Sequence, residues 1–473
     1  IRDVLTSRGL GDVYKRHVVT NAITVDTANL LAATTTGKIT ATIAATETVG
    51  ELATLSADGG TNELTITIRS EDATAATAGQ LNTINAATAT AVNLTNVTAL
   101  AASSLDDLGT LATDLAADPA EFSNVTGLTT IAVSDTTVDA TTLATRIDSY
   151  DSINGDGKTT DMTLASGATI QVDAGEITHM LADRTAGRLT IDDQKITVNP
   201  AGSITVDTAN DLSGITTGVL TATIDPTETV GELATLSADG GNNALTITIR
   251  GADATAATAG QLNTINDATA TAVNLTNVTA LAASSLDDLG TLATDLAADP
   301  AEFSNVTGLT TIAVSDTTVD ATTLATRIDS YDSINGDGKT TDMTLASGAT
   351  IQVDAGEITH MLADRTAGRL TIDDQKITVN PAGSITVDTA NDLSGITTGV
   401  LTATIDPTET VGELTALSAD GGTNKLTITI RAEDATAATA SQLNTINDAT
   451  ATAVNLTNVC LLYTSPSPRD VST

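Results

Sequence analysis

Short runs in which aliphatic residues alternate with threonine recur along the chain: Ile39-Thr-Ala-Thr-Ile43, Leu64-Thr-Ile-Thr-Ile68, Leu128-Thr-Thr-Ile-Ala-Val133, Ala168-Thr-Ile-Gln-Val172 and Ile196-Thr-Val198. Successive strand side chains point to opposite faces, so this alternation predicts strands buried on one side and lined with hydroxyls on the other. Short amphipathic segments lie between them. Leu105, Leu108, Ala112 and Leu115 fall on one helical face, as do Leu143, Ile147 and Tyr150. Thr48-Val-Gly-Glu51 and Asp173-Ala-Gly-Glu176 have the spacing of a capping box, in which side chains satisfy N–H groups at a helix start. Gly187 is placed to end the helix begun near Asp173.

The whole pattern repeats. Ile23-Thr-Val-Asp-Thr-Ala-Asn29 returns at Ile204 and Ile385, 181 residues apart each time, and residues 87–233 are identical to 268–414. Copies differ elsewhere, for example Ala86 against Asp267 and Ala244 against Lys425. The chain therefore divides into repeat 1 (17–203), repeat 2 (204–384) and a partial repeat 3 (385–459). Strand, short helix, strand at roughly 25–35 residues is the rhythm of a parallel sheet with crossover helices. In tandem it predicts an α/β solenoid of short parallel strands and short helices, each unit burying its apolar face on the next. The alternative is an all-β string of antiparallel β-sandwich domains.

Composition narrows the function. Of 473 residues, 59 are Asp or Glu and 20 are Lys or Arg, a net charge of −39. Nucleic acid and anionic membrane carry the same sign, so neither is an expected partner. No apolar run reaches the length of a membrane span. With 1% aromatic residues and no Trp, stacking platforms for bases or sugars are not expected.

The two ends have a different character. Residues 1–16, with Ser7-Arg-Gly-Leu-Gly-Asp-Val-Tyr-Lys-Arg16, and residues 460–473, with Cys460-Leu-Leu-Tyr-Thr-Ser-Pro-Ser-Pro-Arg-Asp470, resemble translations of a transposase-type sequencing adapter. On that resemblance they are not native, 17–459 is an internal, metagenomic fragment of a longer reading frame, and the single cysteine lies outside it. Disulfides, thiolate metal sites and a Cys nucleophile then drop out.

Leu64-Thr-Ile-Thr-Ile68, the phrase from Asp72-Ala-Thr-Ala-Ala-Thr-Ala to Gln80-Leu-Asn-Thr-Ile84, and Thr88-Ala-Thr-Ala-Val-Asn-Leu-Thr-Asn-Val97 give the segment its character. In these phrases it is similar to the giant tandem-repeat surface and secreted proteins of marine and cyanobacterial-type bacteria. The resemblance spans essentially all of 18–459, rests on composition and rhythm, and defines no active site. It implies adhesins, S-layer-like coats and extracellular matrix proteins, located outside the cell or at its surface. The Gly-Gly-x-Gly-x-Asp calcium repeats found in many such proteins do not occur here.

The best candidate site is Asp151-Ser-Ile-Asn154-Gly-Asp156-Gly-Lys-Thr-Thr-Asp161, repeated as Asp332, Asn335, Asp337 and Asp342. Its Asn-Gly-Asp-Gly core resembles dockerin and EF-hand loops, whose oxygen ligands sit around a turn glycine. In that register Ser152 and Thr163 stand where acidic ligands belong, so the motif describes a weak Ca²⁺ site or a plain turn. The turn Ser56-Ala-Asp-Gly-Gly60 lacks the Lys-Ser/Thr of a phosphate loop. His179 and His360 stand singly beside Met180 and Met361, without triad or metal partners. Asp106-Asp107 and Asp192-Asp193 do not flank one bond as a glycosidase pair must, and the former suits a helix start.

The expected function is a non-enzymatic acidic stalk, coat or adhesin. A Ca²⁺-stabilised adhesive or S-layer-like array and the spacer of a larger extracellular hydrolase are the alternatives. Expected partners are other surface components, neighbouring repeats of the same chain and divalent cations.

Overall fold

The structure is a computed structural model that describes residues 17–459 apart from 57–60, 118, 126, 156–157, 238–242, 299–300, 307, 337–338 and 419–422. The chain forms two compact units, Ile1–Asp225 with Asn242–Thr246, and Pro226–Gly241 with Ile247–Thr473.

The first unit has strands β1 (His17–Val18), β2 (Ile39–Thr42), β3 (Glu63–Thr65), β4 (Val92–Asn93), β5 (Ala99–Ser103), β6 (Phe122–Ser123), β7 (Thr130–Val133), β8 (Thr137–Asp139), β9 (Asp161–Leu164), β10 (Thr169–Val172), β11 (Leu189–Thr190), β12 (Lys195–Val198), β13 (Leu220–Thr223) and β14 (Ala244–Thr246). Its helices are α1 (Val25–Thr34), α2 (Val49–Leu52), α3 (Ala78–Ala86), α4 (Leu105–Leu115), α5 (Ala140–Asn154), α6 (Ile177–Thr185) and α7 (Val206–Ser213).

Among the described residues every ladder is parallel and the sheets run in chain order: β1-β2-β3, β4-β6, β5-β7-β9-β11 and β8-β10-β12-β13-β14. Residues paired in these ladders lie from 22 apart in sequence (His17 and Ile39) to 32 apart (Val138 and Ile170). One strand pairing per coil of that length defines a solenoid. Parallel strands need such crossovers, whereas the antiparallel ladders of a β-sandwich are absent among the described residues. The second unit repeats the same order, with sheets over Ala280–Ser284 to Leu370–Thr371 and over Thr318–Asp320 to Lys425–Thr427.

Alternation sets the core. Val138, Ile170, Ile196 and Leu220 are in register across four strands, and none is more than 2% exposed. Their neighbours Asp139, Gln171, Thr197 and Thr221 form the outward row. Helices α3, α4, α5 and α6 pack each on the next and cover the sheets. On α5 the predicted face of Leu143, Ile147 and Tyr150 is buried, whereas on α4 Leu111 is buried and Leu115 only half-buried.

Helices this short gain little from propensity and depend on packing and caps. The Thr48–Glu51 capping box forms, as do boxes at Thr77–Gln80 and Thr258–Gln261. The box expected at Asp173–Glu176 does not form. A turn occupies 174–176, α6 begins at Ile177 without a side-chain cap, and Asp173 instead accepts a 2.8 Å bond from Asn199 Nδ2 on the next coil. Gly187 ends α6 as expected. With φ near +69° it donates to Arg184 O, while Arg188 N–H reaches back to Asp183 O, the paired bonds of a Schellman stop.

Candidate functional site

The candidate loop follows directly from α5. Asn154 is the last helical residue and Gly155 turns the chain at φ +76°. Asp156 and Asp337 lie outside the described residues, as does most of the Ser56–Gly60 turn. Asp151 Oδ1 accepts from the Thr160 N–H at 2.7 Å, and its Oδ2 lies 3.1 Å from Arg188 Nη1. The Asn154 carboxamide accepts from the Leu128 N–H at 2.7 Å and donates to Leu128 O at 2.9 Å and Thr160 Oγ1 at 2.7 Å. Asp161 opens β9 and accepts from the Thr190 hydroxyl on β11 at 3.0 Å.

The structure thus joins Asp151 and Asn154 around Thr160, which is fully buried, and places Asp161 in a separate contact between strands. The second unit repeats these bonds: Asp332 with Thr341, Asn335 with Leu309 and Asp342 with Thr371. Among the described residues no three or more His, Cys, Asp or Glu side chains are arranged to hold a metal ion.

Arg188 was not singled out from the sequence. It pairs at once with Asp148 and Asp151 of α5 and with Asp183 of α6, tying two helices to the coil that follows. Arg369 does the same with Asp329, Asp332 and Asp364 in the second unit. Tyr150 is wholly buried and donates to Leu108 O at 3.0 Å, and burial pushes its phenol pKa up. The only sequence signal for these contacts was a polar residue beside a predicted helix end or face.

The remaining candidates are local. His179 and His360 are exposed on their helices. Asp106 and Asp107 sit in the first turn of α4, where Ser104 is the cap and Asp135 accepts from the Leu105 N–H at 2.7 Å. Asp193 is held below the usual carboxylate range by the Ser166 hydroxyl and then the Gly167 N–H, and Asp374 likewise by Ser347 and Gly348. Asp114 is pushed above that range by burial and then by Glu121. Asp295 shows the same rise from burial, Glu302 and Asp267.

These groups bond coil to coil: a carboxamide or hydroxyl supplies the hydrogen bonds where strand pairing stops. Asn62, only 3% exposed, accepts from the Ile39 N–H at 3.1 Å, and Thr88 Oγ1 both accepts from Leu64 N and donates to Leu64 O. Such groups keep buried backbone polar atoms satisfied. The chain matches no protein-family model, no curated protein and no solved structure.

Proposed function

We propose that this chain is a non-enzymatic, acidic tandem-repeat segment of an exported bacterial surface or matrix protein, serving as stalk, coat or adhesin. The observation that supports the reading is the recurrence of one set of scaffold bonds. Asn154–Leu128 and Asn335–Leu309 have the same distances, as do Tyr150–Leu108 and Tyr331–Leu289. In the candidate loops Asp151 and Asp332 are engaged by Arg188 and Arg369 and by the Thr160 and Thr341 N–H groups, and Asp183 and Asp364 pair with the same arginines. Repeat arrays draw their stability from each unit and its neighbours, so copy number can change without loss of fold.

Deleting residues 204–384 tests this, because it joins Ser203 to Ile385 at a junction already present in the chain. The shortened protein is expected to keep its ellipticity per residue and its melting temperature while its hydrodynamic size falls. Loss of cooperative melting would overturn the reading of interchangeable copies.

A further inference from the structure

One outward row carries polar side chains of which only the aspartates are engaged, Asp139 and Asp320 each capping a helix by accepting from the Thr142 and Thr323 N–H. Asp139, Gln171, Thr197 and Thr221 stand in register on the outward side of β8, β10, β12 and β13, with Ala244 of β14 at the end. The second unit presents Asp320, Gln352, Thr378 and Thr402, ending in Lys425. Gln171, Gln352, Asp139 and Asp320 are exposed. Both glutamines and the four threonines spend no side-chain atom on a partner among the described residues. In the second unit Asp320, Gln352, Asp354, Thr378 and Asn380 line a groove of about 270 Å³.

We infer that this row is a binding face for an extended neutral polysaccharide. Parallel strands repeat at about 4.7–4.9 Å, so the row offers one polar group per rung along a straight line. That spacing is close to the length of one pyranose unit in an extended glycan, so each sugar can meet a fresh rung. The row mixes acceptors (Asp), a group that both accepts and donates (Gln) and hydroxyls (Thr), which suits vicinal sugar hydroxyls. Charge selects among glycans: Asp320 and Asp354 in the groove, on a chain of net charge −39, repel uronate and sulfated polymers. Recognition is by hydrogen bonds without aromatic stacking. Each bond to an exposed group exchanges with water and adds little, so affinity depends on the number of rungs engaged. The inference deepens the surface-protein reading, on which it rests only for where the glycan is met.

The test is sedimentation of the full chain with amorphous cellulose, beside calcium alginate gel and an ice-shaping assay. The variant carries Gln171→Ala, Gln352→Ala, Thr197→Val and Thr378→Val, outward changes of which the two Thr→Val keep the β-branched side chain that suits a strand. The expected result is adsorption to cellulose, weak retention on alginate, and at least about tenfold weaker adsorption by the variant at unchanged melting temperature, a loss of about 1.4 kcal/mol. No adsorption to cellulose, adsorption indifferent to the four changes, or ice shaping in place of adsorption would each overturn the inference. None of these results bears on the repeat-deletion experiment, which tests the array itself.

Discussion

The carboxamide of Asn154 brackets the backbone of Leu128 from the following coil, accepting from its N–H at 2.7 Å and donating to its C=O at 2.9 Å. Leu128 is fully buried and precedes β7, so its peptide groups have no strand partner at that point. One side chain there does the work of a missing strand.

Replacing both brackets, Asn154→Ala with Asn335→Ala, leaves two buried N–H groups unpaired. Each costs about 1–3 kcal/mol of local stability. Hydrogen exchange around Leu128 and Leu309 is expected to speed up accordingly, and both copies are changed together because their peptides share one sequence. Unchanged exchange there would show that the bracket contributes nothing.

A Cβ on Gly218 would lie 2.3 Å from the Gln194 carbonyl oxygen, and one on Gly399 the same distance from Gln375 O. These are backbone atoms of the neighbouring coil and cannot rotate away. Gly218→Ala with Gly399→Ala is expected to lower the melting temperature by several degrees, because the coils must part. Gly175→Ala meets nothing within 4 Å and is expected to be neutral or slightly stabilising. Equal effects in a melting comparison would refute the close approach.

Glu51, Glu232 and Glu413 are held below the usual carboxylate range by the N–H and then the hydroxyl of Thr48, Thr229 and Thr410. A depressed acid contributes stability above its unfolded pKa and loses it as pH falls through the lower, folded value. Gln80 shows that glutamine can complete the same box. The triple change to Gln is therefore expected to leave melting at pH 7 nearly unchanged while weakening its fall in acid, as followed by circular dichroism.

Asp114 and Asp295 have the opposite sign. Burial raises them, so the folded state holds their protons more tightly and stability drops as pH rises from the unfolded to the folded pKa. Asp114→Asn with Asp295→Asn is expected to raise the melting temperature at pH 7, with the gain fading toward pH 3. A gain that persists in acid would point to a cause other than charge.

Asp151 and Asn154 already serve Thr160, Arg188 and Leu128, so millimolar Ca²⁺ is expected to shift melting no more than NaCl of equal ionic strength. A shift specific to Ca²⁺, removed by EGTA, would make the loops at Asn154 and Asn335 ion sites, since a ligand of the folded state stabilises it by mass action.

The sequence by itself determined the 181-residue period, the strand alternation seen in Ile39–Ile43 and Ala168–Val172, the cap at Thr48 and the stop at Gly187. Each is local: side-chain alternation, a three-residue spacing and a positive φ are readable within a few positions. Only the tertiary structure decided that Asp173 serves Asn199 and not a helix start, that Leu111 and not Leu115 completes the face of α4, and that Arg188 gathers three aspartates. It also decided that Gln171 and Thr197 stay free in one outward row. Those partners lie from 5 to 40 residues apart in sequence. Which residues meet depends on the length of every intervening turn, because a shift of one residue in a parallel coil moves each side chain to the opposite face.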